Sequence, residues 1–177
     1  PFTPCQMDIE TRIEAALERA LAMATGDSPP KLAEALRYAV FSGGGRVRPK
    51  LALAVAVANG DHNPGLADAA AASLELLHCG SLVHDDLPIF DDADTRRGRP
   101  SVHRGFGEEL ALLVGDGLIV SAFELLAHEG RDHPNELAEI LAIVAAAVGT
   151  SRGIIAGQAW ESEAEIDTAK YHRAKTG

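Results

Sequence analysis

The middle of the chain carries a dense group of acidic side chains with two arginines behind it. The acids are Asp85, Asp86, Asp91, Asp92 and Asp94, and the arginines are Arg96 and Arg97. Carboxylates this close repel one another, and burying one unpaired is costly, so a positive group is expected among them. Mg²⁺ commonly joins one or two carboxylates to substrate phosphates, and arginines suit phosphate oxygens. The pattern therefore favours a magnesium diphosphate site over a solvated acidic loop, the other interpretation of such a run.

A glycine-rich turn with two arginines lies upstream of this acidic segment. Residues 43–49 read Gly-Gly-Gly-Arg-Val-Arg-Pro, which ends one predicted helix and begins the next. Glycines let the backbone approach a ligand closely, and the start of a helix favours an anion. Helix capping alone explains the glycines but does not explain Arg46 and Arg48, so we expect these two side chains to bind an anion.

Together these elements resemble the trans-polyprenyl diphosphate synthases, and most closely the bacterial geranylgeranyl diphosphate synthases of carotenoid and photosynthetic pigment pathways. The first aspartate-rich motif of that family matches Asp-Asp-Leu-Pro-Ile-Phe-Asp at residues 85–91, and its arginine pair matches residues 96–98. The upstream glycine–arginine element matches residues 43–49, and a later Lys-Thr pair matches residues 175–176. The four elements stand in the family's order.

The resemblance implies an all-α, single-domain antiparallel helical bundle of the isoprenoid synthase type over residues 1–177. It implies Mg²⁺-dependent, head-to-tail condensation of isopentenyl diphosphate with an allylic diphosphate (dimethylallyl, geranyl or farnesyl). In the family the allylic diphosphate ionises, the double bond of isopentenyl diphosphate attacks the cation, and a proton is lost. Family members continue to a second aspartate-rich motif that this sequence lacks, so we expect the chain to be the N-terminal portion of such an enzyme.

The same resemblance assigns roles to the acidic segment residue by residue. Asp85 and Asp91 correspond to the usual Mg²⁺ ligands, with Asp86 as a supporting carboxylate. Arg96 corresponds to the arginine on the allylic diphosphate and Arg97 to the one on isopentenyl diphosphate. The aspartates and Arg96 are therefore expected to be catalytic.

Other matching positions are expected to contact isopentenyl diphosphate from outside the acidic segment. Arg48 and His78 match such positions, and Arg46 is expected beside them. An isolated His on an apolar helix is more often a satisfied core residue. His78, however, lies seven residues before Asp85, so the two side chains project from nearly the same helix face. This shared face favours a site role.

A third group of positions lies near the end of the sequence. Lys175 and Thr176 match the pair that contacts the allylic diphosphate from a facing helix, with Lys175 expected to be catalytic. A frayed helix end is the alternative interpretation. Gln158 matches an element near the pocket, although helix packing explains its neighbour Gly157 equally well. Asp116, between two glycines, is expected to be structural.

One position departs from the family pattern. Gly45 stands where a Lys that binds isopentenyl diphosphate is usual, and a charged hydrogen bond is worth about 1.5–3 kcal/mol. Affinity for isopentenyl diphosphate is expected to be weaker unless Arg46 reaches the site. Two alternative functions stay open: a non-catalytic regulatory subunit of a heteromeric prenyl synthase, and a helical metal-binding protein. Intact clustered aspartates count against the first, and the arginine elements count against the second.

The residues just before the first aspartate are expected to set product length. Related enzymes that stop at farnesyl diphosphate commonly carry a bulky aromatic where this chain has Gly80. Ser81 lies one turn before Asp85, and the first large side chain below it is Leu77. A floor lowered by one turn, about 5.4 Å, leaves room for roughly one more isoprene unit. We therefore expect geranylgeranyl diphosphate rather than farnesyl diphosphate, with close helix packing as the alternative role of the small residues.

Composition limits the function classes further. Hydrophobic residues make up 46% of the chain and aromatic residues 5%, with Ala and Leu dominant, which favours helix over sheet. With 16 Lys and Arg against 26 Asp and Glu, the formal net charge of -10 argues against a nucleic-acid partner. We see no signal peptide and no apolar run near membrane-span length, so we expect a cytoplasmic protein without stable membrane insertion. Cys5 and Cys79 are not expected to pair.

Apolar periodicity predicts helices along the chain and no strand of useful length. The predicted helices cover residues 8–24, 31–41, 49–59, 66–84, 108–128, 134–149, 151–160 and 167–175. Segments 66–84 and 108–128 are apolar around most of their circumference, which a small monomer cannot cover. Related enzymes pack such helices across a two-fold axis, so a homodimer is expected.

Overall fold

The computed structural model describes residues 8–176, with Thr176 described by its backbone alone. The described part is built from α-helices, and the all-α class is confirmed. These helices are α1 Ile9–Thr25, α2 Pro30–Phe41, α3 Val47–Ala58, α4 Pro64–Asp85, α5 Val102–Phe106, α6 Glu108–Glu129, α7 Pro134–Val148, α8 Ile154–Ala159 and α9 Thr168–Thr176. A 3₁₀ turn at Trp160–Ser162 follows α8. Cys5 lies outside the described residues, and the buried Cys79 forms no disulfide.

Proline sets the start of three helices. Pro30, Pro64 and Pro134 each occupy the first position of their helix, where the missing N–H costs nothing and the fixed φ suits helical backbone. The predicted bounds agree with the observed ones to within three residues at each end. The largest difference is at α8, which begins at Ile154 because Gly153 takes extended backbone before it.

Three short elements between α4 and α6 were not predicted. Strands β1 (Thr95–Arg96) and β2 (Arg99–Pro100) pair antiparallel around a two-residue turn. Both turn residues have positive φ, 53° at Arg97 and 77° at Gly98, as a type I′ hairpin requires. Helix α5 then runs for five residues. Elements this short contain too few residues to show a hydrophobic period.

The chain divides into two compact units, Pro1–Glu129 and Gly130–Gly177, described separately below. The single-domain organisation stays a prediction. In the first unit α4 is the central helix, packed along α6 and touched by α1 and α3. Three fully buried alanines, Ala69, Ala71 and Ala72, keep its surface low enough for close helix approach. This packing holds the C-terminal end of α4, where the aspartates begin.

A buried ion network joins α1 to the start of α4. Arg12 donates from Nε to Asp68 at 2.7 Å and from Nη1 to Asp61 at 2.7 Å. Burial raises the pKa of Asp68, and the hydrogen bond from Arg12 opposes that shift. Because both charges are almost fully buried, loss of either partner would leave an uncompensated charge in the core.

Helices α4 and α6 are both long and apolar enough to cross a membrane, judged by length and composition. This corrects the expectation that no segment approaches that length. Within the described residues, 67% of the most apolar window of α4 and 44% of that of α6 is buried inside the protein. The burial of α4 is that of a core helix.

The two apolar helices differ in what they expose. In the described part of the chain, no large apolar side chain of α4 is exposed, because α1, α3 and α6 surround it. The expectation that α4 presents spare apolar surface is therefore wrong. Helix α6 does so, through Leu112, Leu113 and Val120, each at least 50% exposed.

Candidate functional site

Asp85 is the last residue of α4, and Asp86 follows it as the C-cap. The Asp86 carboxylate is 2% exposed and accepts hydrogen bonds from Arg96 of β1, from Nε at 3.0 Å and also from Nη2. This hydrogen bond raises the pKa of Arg96. The geometry makes Asp86 the partner of Arg96, which differs from its expected role as a supporting metal carboxylate.

The chain turns back on itself directly after α4. The backbone N–H of Asp91 donates to the carbonyl oxygen of Asp85 at 2.9 Å, and that of Ala93 donates to Asp86 at 3.1 Å. These bonds satisfy carbonyls at the helix end and bring the backbone of Asp91 beside that of Asp85. Asp91 is exposed and Asp85 is partly buried, so two carboxylates stand at one edge of the unit.

Arg104, on α5, neutralises the two remaining aspartates. Its Nη2 donates to Asp92 at 3.1 Å, and its Nε lies 2.7 Å from Asp94. Nearby, the buried His103 accepts or donates through Nδ1 with Ser101, while its Nε2 has no hydrogen-bond partner and lies 3.8 Å from Asp92. Arginine thus supplies the positive charge for three of the five acids.

The donor set bears on the expected metal. The described residues hold no group of three or more His, Cys, Asp or Glu side chains placed to bind an ion. Asp85 and Asp91 are two oxygen donors, which is the number Mg²⁺ takes from protein when substrate phosphates complete its coordination. The residues therefore fit Mg²⁺ held jointly with a diphosphate, and do not fit a dedicated protein cage.

The glycine–arginine loop between α2 and α3 contacts the β1–β2 hairpin. Gly43 and Gly44 have φ of 97° and 123°, which favours glycine at both positions. Arg97 donates from Nη1 to the carbonyl oxygen of Gly43, and a Cβ at Gly44 would lie 2.6 Å from the Arg97 Cζ. The glycines were expected to let a ligand approach the backbone closely, and the group that approaches it here is the Arg97 side chain.

Arg46 is buried, which corrects the expectation that it reaches a substrate. It is 9% exposed and donates to Glu14, Glu75 and the carbonyl oxygen of Val40, each at 2.9 Å. Arg48, two residues on, is exposed instead. Sequence reasoning missed Glu75, although a lone carboxylate in an apolar helix is itself a signal for a buried ion pair.

His78 is partly buried within a positive field. Burial lowers its pKa, and the charges of Arg48, Arg97 and Arg96 lower it further, while Glu75 opposes them. The imidazole is therefore held neutral at neutral pH. The fold has brought four predicted substrate residues, distant in sequence, within electrostatic range of one another.

Of the residues expected to set product length, Gly80 faces α6. A Cβ at Gly80 would meet the carbonyl oxygen of Gly115 at 3.1 Å and the Leu118 Cβ at 3.5 Å. Leu77 is buried, and Ser81 donates from Oγ to the carbonyl oxygen of His78 at 2.9 Å. This geometry favours the packing role for Gly80 over the pocket-floor role.

A contact between His84 and Gly115 was not predicted. The His84 ring fills the space where a Cβ at Gly115 would be, and its Nε2 lies 3.2 Å from the Leu112 carbonyl oxygen and 3.6 Å from Asp116. His84 immediately precedes Asp85, so this contact holds the last turn of α4 onto α6. The Gly-Asp-Gly motif at residues 115–117 was the available signal. Asp116 itself is exposed in the middle of α6, and the structural role expected for it stays a prediction.

In the second unit the predicted residues are joined around Glu161. Lys175 lies 2.8 Å from Glu161 and donates to Gln158 at 2.8 Å, while Gln158 donates to Glu161 at 2.9 Å. The Lys175 hydrogen bond is the main reason the pKa of Glu161 is lowered. A Cβ at Gly157 would lie 3.1 Å from Lys175 Cγ, so helices α8 and α9 pack closely there. The side chain of Thr176 lies outside the described residues.

Comparison with known proteins identifies the family of this chain. The family model described as "Polyprenyl synthetase" matches residues 29–177. The chain belongs to the polyprenyl synthetase family. It is 55% identical to the geranylgeranyl diphosphate synthase of Cereibacter sphaeroides and 52% identical to that of Rhodobacter capsulatus, over 97% of this chain in both cases. The chain spans 60% of the length of each of these relatives.

Solved structures of the polyprenyl synthetase family share the fold. A geranyltransferase from Legionella pneumophila superposes with a TM-score of 0.82 at 36% identity, covering 95% of this chain and 61% of its own. An FPP/GFPP synthase from Zymomonas mobilis gives a TM-score of 0.77 at 32% identity, covering 95% of this chain and 65% of its own. The all-α isoprenoid synthase fold and the family resemblance are thereby confirmed.

Proposed function

We propose that the protein carrying this polyprenyl synthetase chain is a Mg²⁺-dependent prenyltransferase. It condenses isopentenyl diphosphate head to tail with an allylic diphosphate (dimethylallyl, geranyl or farnesyl) and yields geranylgeranyl diphosphate. The observation that carries the proposal is the pairing of two carboxylates, Asp85 and Asp91, with an arginine and histidine group at the same end of α4. The names of the relatives from Cereibacter sphaeroides and Rhodobacter capsulatus support the same activity.

The chemistry asks the protein to bind and orient two diphosphates without supplying a nucleophile. When bound, Mg²⁺ would neutralise charge on the departing pyrophosphate, with Asp85 and Asp91 as its protein ligands. Arg96, held by Asp86, presents its guanidinium toward the allylic diphosphate, while Arg97 and Arg48 hold isopentenyl diphosphate. Neutral His78 contributes a hydrogen bond without adding charge. Together, these contacts hold the two substrates in line.

Lys175, Gln158 and Thr176 belong to the same proposal. Lys175 would add a cation for the allylic diphosphate and Gln158 a hydrogen-bonding amide. The contacts of Lys175 with Glu161 and Gln158 orient its ammonium. A Lys175→Met variant should therefore lower turnover clearly while changing the melting temperature little.

Turnover of the complete protein tests this function. Pyrophosphate release is measured with farnesyl and isopentenyl diphosphates, with and without Mg²⁺. Asp85→Asn and Asp91→Asn should each lower turnover about a hundredfold or more, since metal stabilisation of the leaving group is worth several kcal/mol. Both variants should stay folded because removing a crowded carboxylate relieves repulsion. Asp132→Asn, an exposed acid outside the motif, is the matched control.

The same assay separates the two alternative functions. A non-catalytic subunit would bind isopentenyl diphosphate but release no pyrophosphate in any combination of substrates. A helical metal-binding protein would bind Mg²⁺ and neither diphosphate. Near wild-type turnover of Asp85→Asn at saturating Mg²⁺ would show that the ligand assignment is wrong.

We propose geranylgeranyl diphosphate as the product, with farnesyl diphosphate as the alternative. Ser81 is a small residue one turn before Asp85, and the buried Leu77 lies one turn further back on the same face of α4. A side chain at Gly80 would press on α6, so the substitution that tests product length is made at Ser81 instead. Ser81→Phe should shorten the product to farnesyl diphosphate, while Ser81→Ala should not. Chromatography of the dephosphorylated products reads the outcome, and unchanged length in an active Ser81→Phe enzyme contradicts the proposal.

We further propose a cytoplasmic homodimer of single-domain protomers with no nucleic-acid partner and no stable membrane insertion. The net charge of -10 supports the lack of a nucleic-acid partner. Exposed apolar residues of α6 support the dimer, because a patch of this kind on a soluble protein usually marks an interface.

A further inference from the structure

Arg46 has an unusual backbone conformation. Its φ is 49°, in the left-handed region that a non-glycine residue seldom adopts, and it directly precedes α3. Its guanidinium is directed inward, where Nε, Nη1 and Nη2 each donate to a different acceptor at 2.9 Å. Three acceptors from three parts of the chain therefore hold this residue in its unusual conformation.

The buried carboxylate among these acceptors is Glu75 of α4. Its side chain is 2% exposed, and Arg46 Nη1 lies 2.9 Å from its carboxylate. His78 follows Glu75 by three residues, so the two lie one turn apart on the same helix. The Arg46–Glu75 pair therefore joins the glycine–arginine loop to α4 one turn from His78.

The opposite side of the loop faces Arg97. Gly43 accepts a hydrogen bond from Arg97, and Gly44 leaves room for its guanidinium, since a Cβ there would lie 2.6 Å from Cζ. Arg48, just past Arg46, is exposed and its charge reaches His78. A displacement of the loop would therefore change the positions of Arg48 and Arg97 relative to His78.

We propose that Arg46 is a positioning residue whose buried pair with Glu75 locks the glycine–arginine loop on α4, so that Arg48, Arg97 and His78 form one diphosphate pocket. This inference rests on the proposed function, in which that pocket receives isopentenyl diphosphate. It predicts that a residue with no substrate contact, Glu75, controls affinity for one of the two substrates.

The test compares Arg46→Met, Glu75→Gln and the double variant in the complete protein. Each single change should raise KM for isopentenyl diphosphate about tenfold or more while KM for the allylic diphosphate and kcat move little, since a displaced loop misaligns one site only. The double variant should be no worse than either single one, because both changes break the same pair. Were Arg46 a direct ligand, Glu75→Gln would leave KM for isopentenyl diphosphate unchanged, and that result overturns the proposal.

The Arg12–Asp68 pair is the matched control for a purely structural effect. It is also buried and also ties a helix to α4, with Nε 2.7 Å from the carboxylate, but it lies outside the loop. Asp68→Asn should lower the melting temperature as Glu75→Gln does, without the selective change in KM. An equal KM change in both variants would show that loss of stability alone accounts for the effect.

Two further measurements keep the test decisive. Glu14→Gln removes the half-exposed acceptor of Arg46, so it avoids a buried unpaired charge. It should give a smaller increase in the KM for isopentenyl diphosphate.

Calorimetric titration with inorganic pyrophosphate measures the affinity of the pocket without turnover, and Glu75→Gln should weaken that binding. If the unsubstituted protein shows no turnover, the proposed function fails, whereas the pyrophosphate titration still decides the positioning role. Unchanged pyrophosphate affinity in Glu75→Gln rejects it.

Discussion

The five aspartates after α4 differ in how their charge is balanced. Arg96 holds Asp86, and Arg104 holds both Asp92 and Asp94. Asp85 and Asp91 are the proposed ligands of the metal, and two carboxylates suit Mg²⁺ shared with a diphosphate. At the scale of single residues, three of the five acids therefore serve ion pairs within the protein.

The environment of His78 predicts a pH-dependent stability. Burial and the neighbouring arginines lower its pKa in the folded protein, so the unfolded chain binds the proton more readily. The free energy of unfolding should therefore fall as the pH drops below the ordinary His value of about 6.5, and level off below the folded pKa. Urea unfolding between pH 8 and 5 measures this. The wild type should lose more stability over this range than His78→Gln; parallel curves would contradict the prediction.

The buried thiol of Cys79 should be unreactive. It is 2% exposed, and burial raises its pKa to about 11. At pH 8 the thiolate is then roughly one part in a thousand, and the thiolate is the reactive form. Alkylation by iodoacetamide, followed on the Cys79 peptide by mass spectrometry, should be very slow in the folded protein and fast in urea. Equal rates in the two conditions would show that the site opens readily.

At the scale of elements, glycines set how closely α4 and α6 approach. Gly80 faces the Gly115 carbonyl, and the His84 ring occupies the space above Gly115. The same seam holds the last turn of α4, which ends at Asp85. Small residues here serve the carboxylate indirectly, by holding the helix end that presents it.

Two glycines of α6 provide a matched pair for testing this seam. Alanine is favoured over glycine in a helix by about 1 kcal/mol. Gly117→Ala should therefore stabilise slightly, because its Cβ would make an ordinary 3.5 Å contact with Leu36. Gly115→Ala would overlap His84, and overpacking costs about 1–3 kcal/mol, so it should destabilise the protein.

Denaturant titrations of both variants read the difference. Adding His84→Ala to Gly115→Ala should recover part of the lost stability, since the overlapping ring is gone. Equal stability of the two single alanine variants would show that the seam tolerates a methyl group and that the glycine is not required there.

At the scale of the whole molecule, apolar surface remains on α6. Leu113 and Val120 are 54% and 64% exposed. We expect the complete protein to sediment as a dimer at micromolar concentration, and Leu113→Glu with Val120→Glu to give a monomer, because charges are costly in an apolar interface. Leu51→Glu, at the 66% exposed position on α3, is the control and should leave the mass unchanged. A monomeric wild type contradicts the proposed homodimer.

The sequence alone was sufficient for the helices other than the five-residue α5, for the fold class and for the family. Apolar spacing and the prolines at residues 30, 64 and 134 are local features, so they placed the helix bounds closely. The motif at residues 85–91 also predicted a candidate site at the end of α4, because an acidic run directly after an apolar helix must lie at the edge of a core. These properties depend on neighbours along the chain, which the sequence contains directly.

Only the tertiary structure decided which charges meet. Arg46 pairs with Glu75 across 29 residues, and Arg97 reaches Gly43 across 54, so no spacing rule within one helix relates them. The same holds for Gly80, whose role as a helix contact depends on Gly115 of α6. A buried charge takes whichever partner the packing of helices brings near, and a glycine matters through the neighbour that fills its space. The arginine expected to bind substrate is therefore buried, and the glycine expected at a pocket floor lies between two helices.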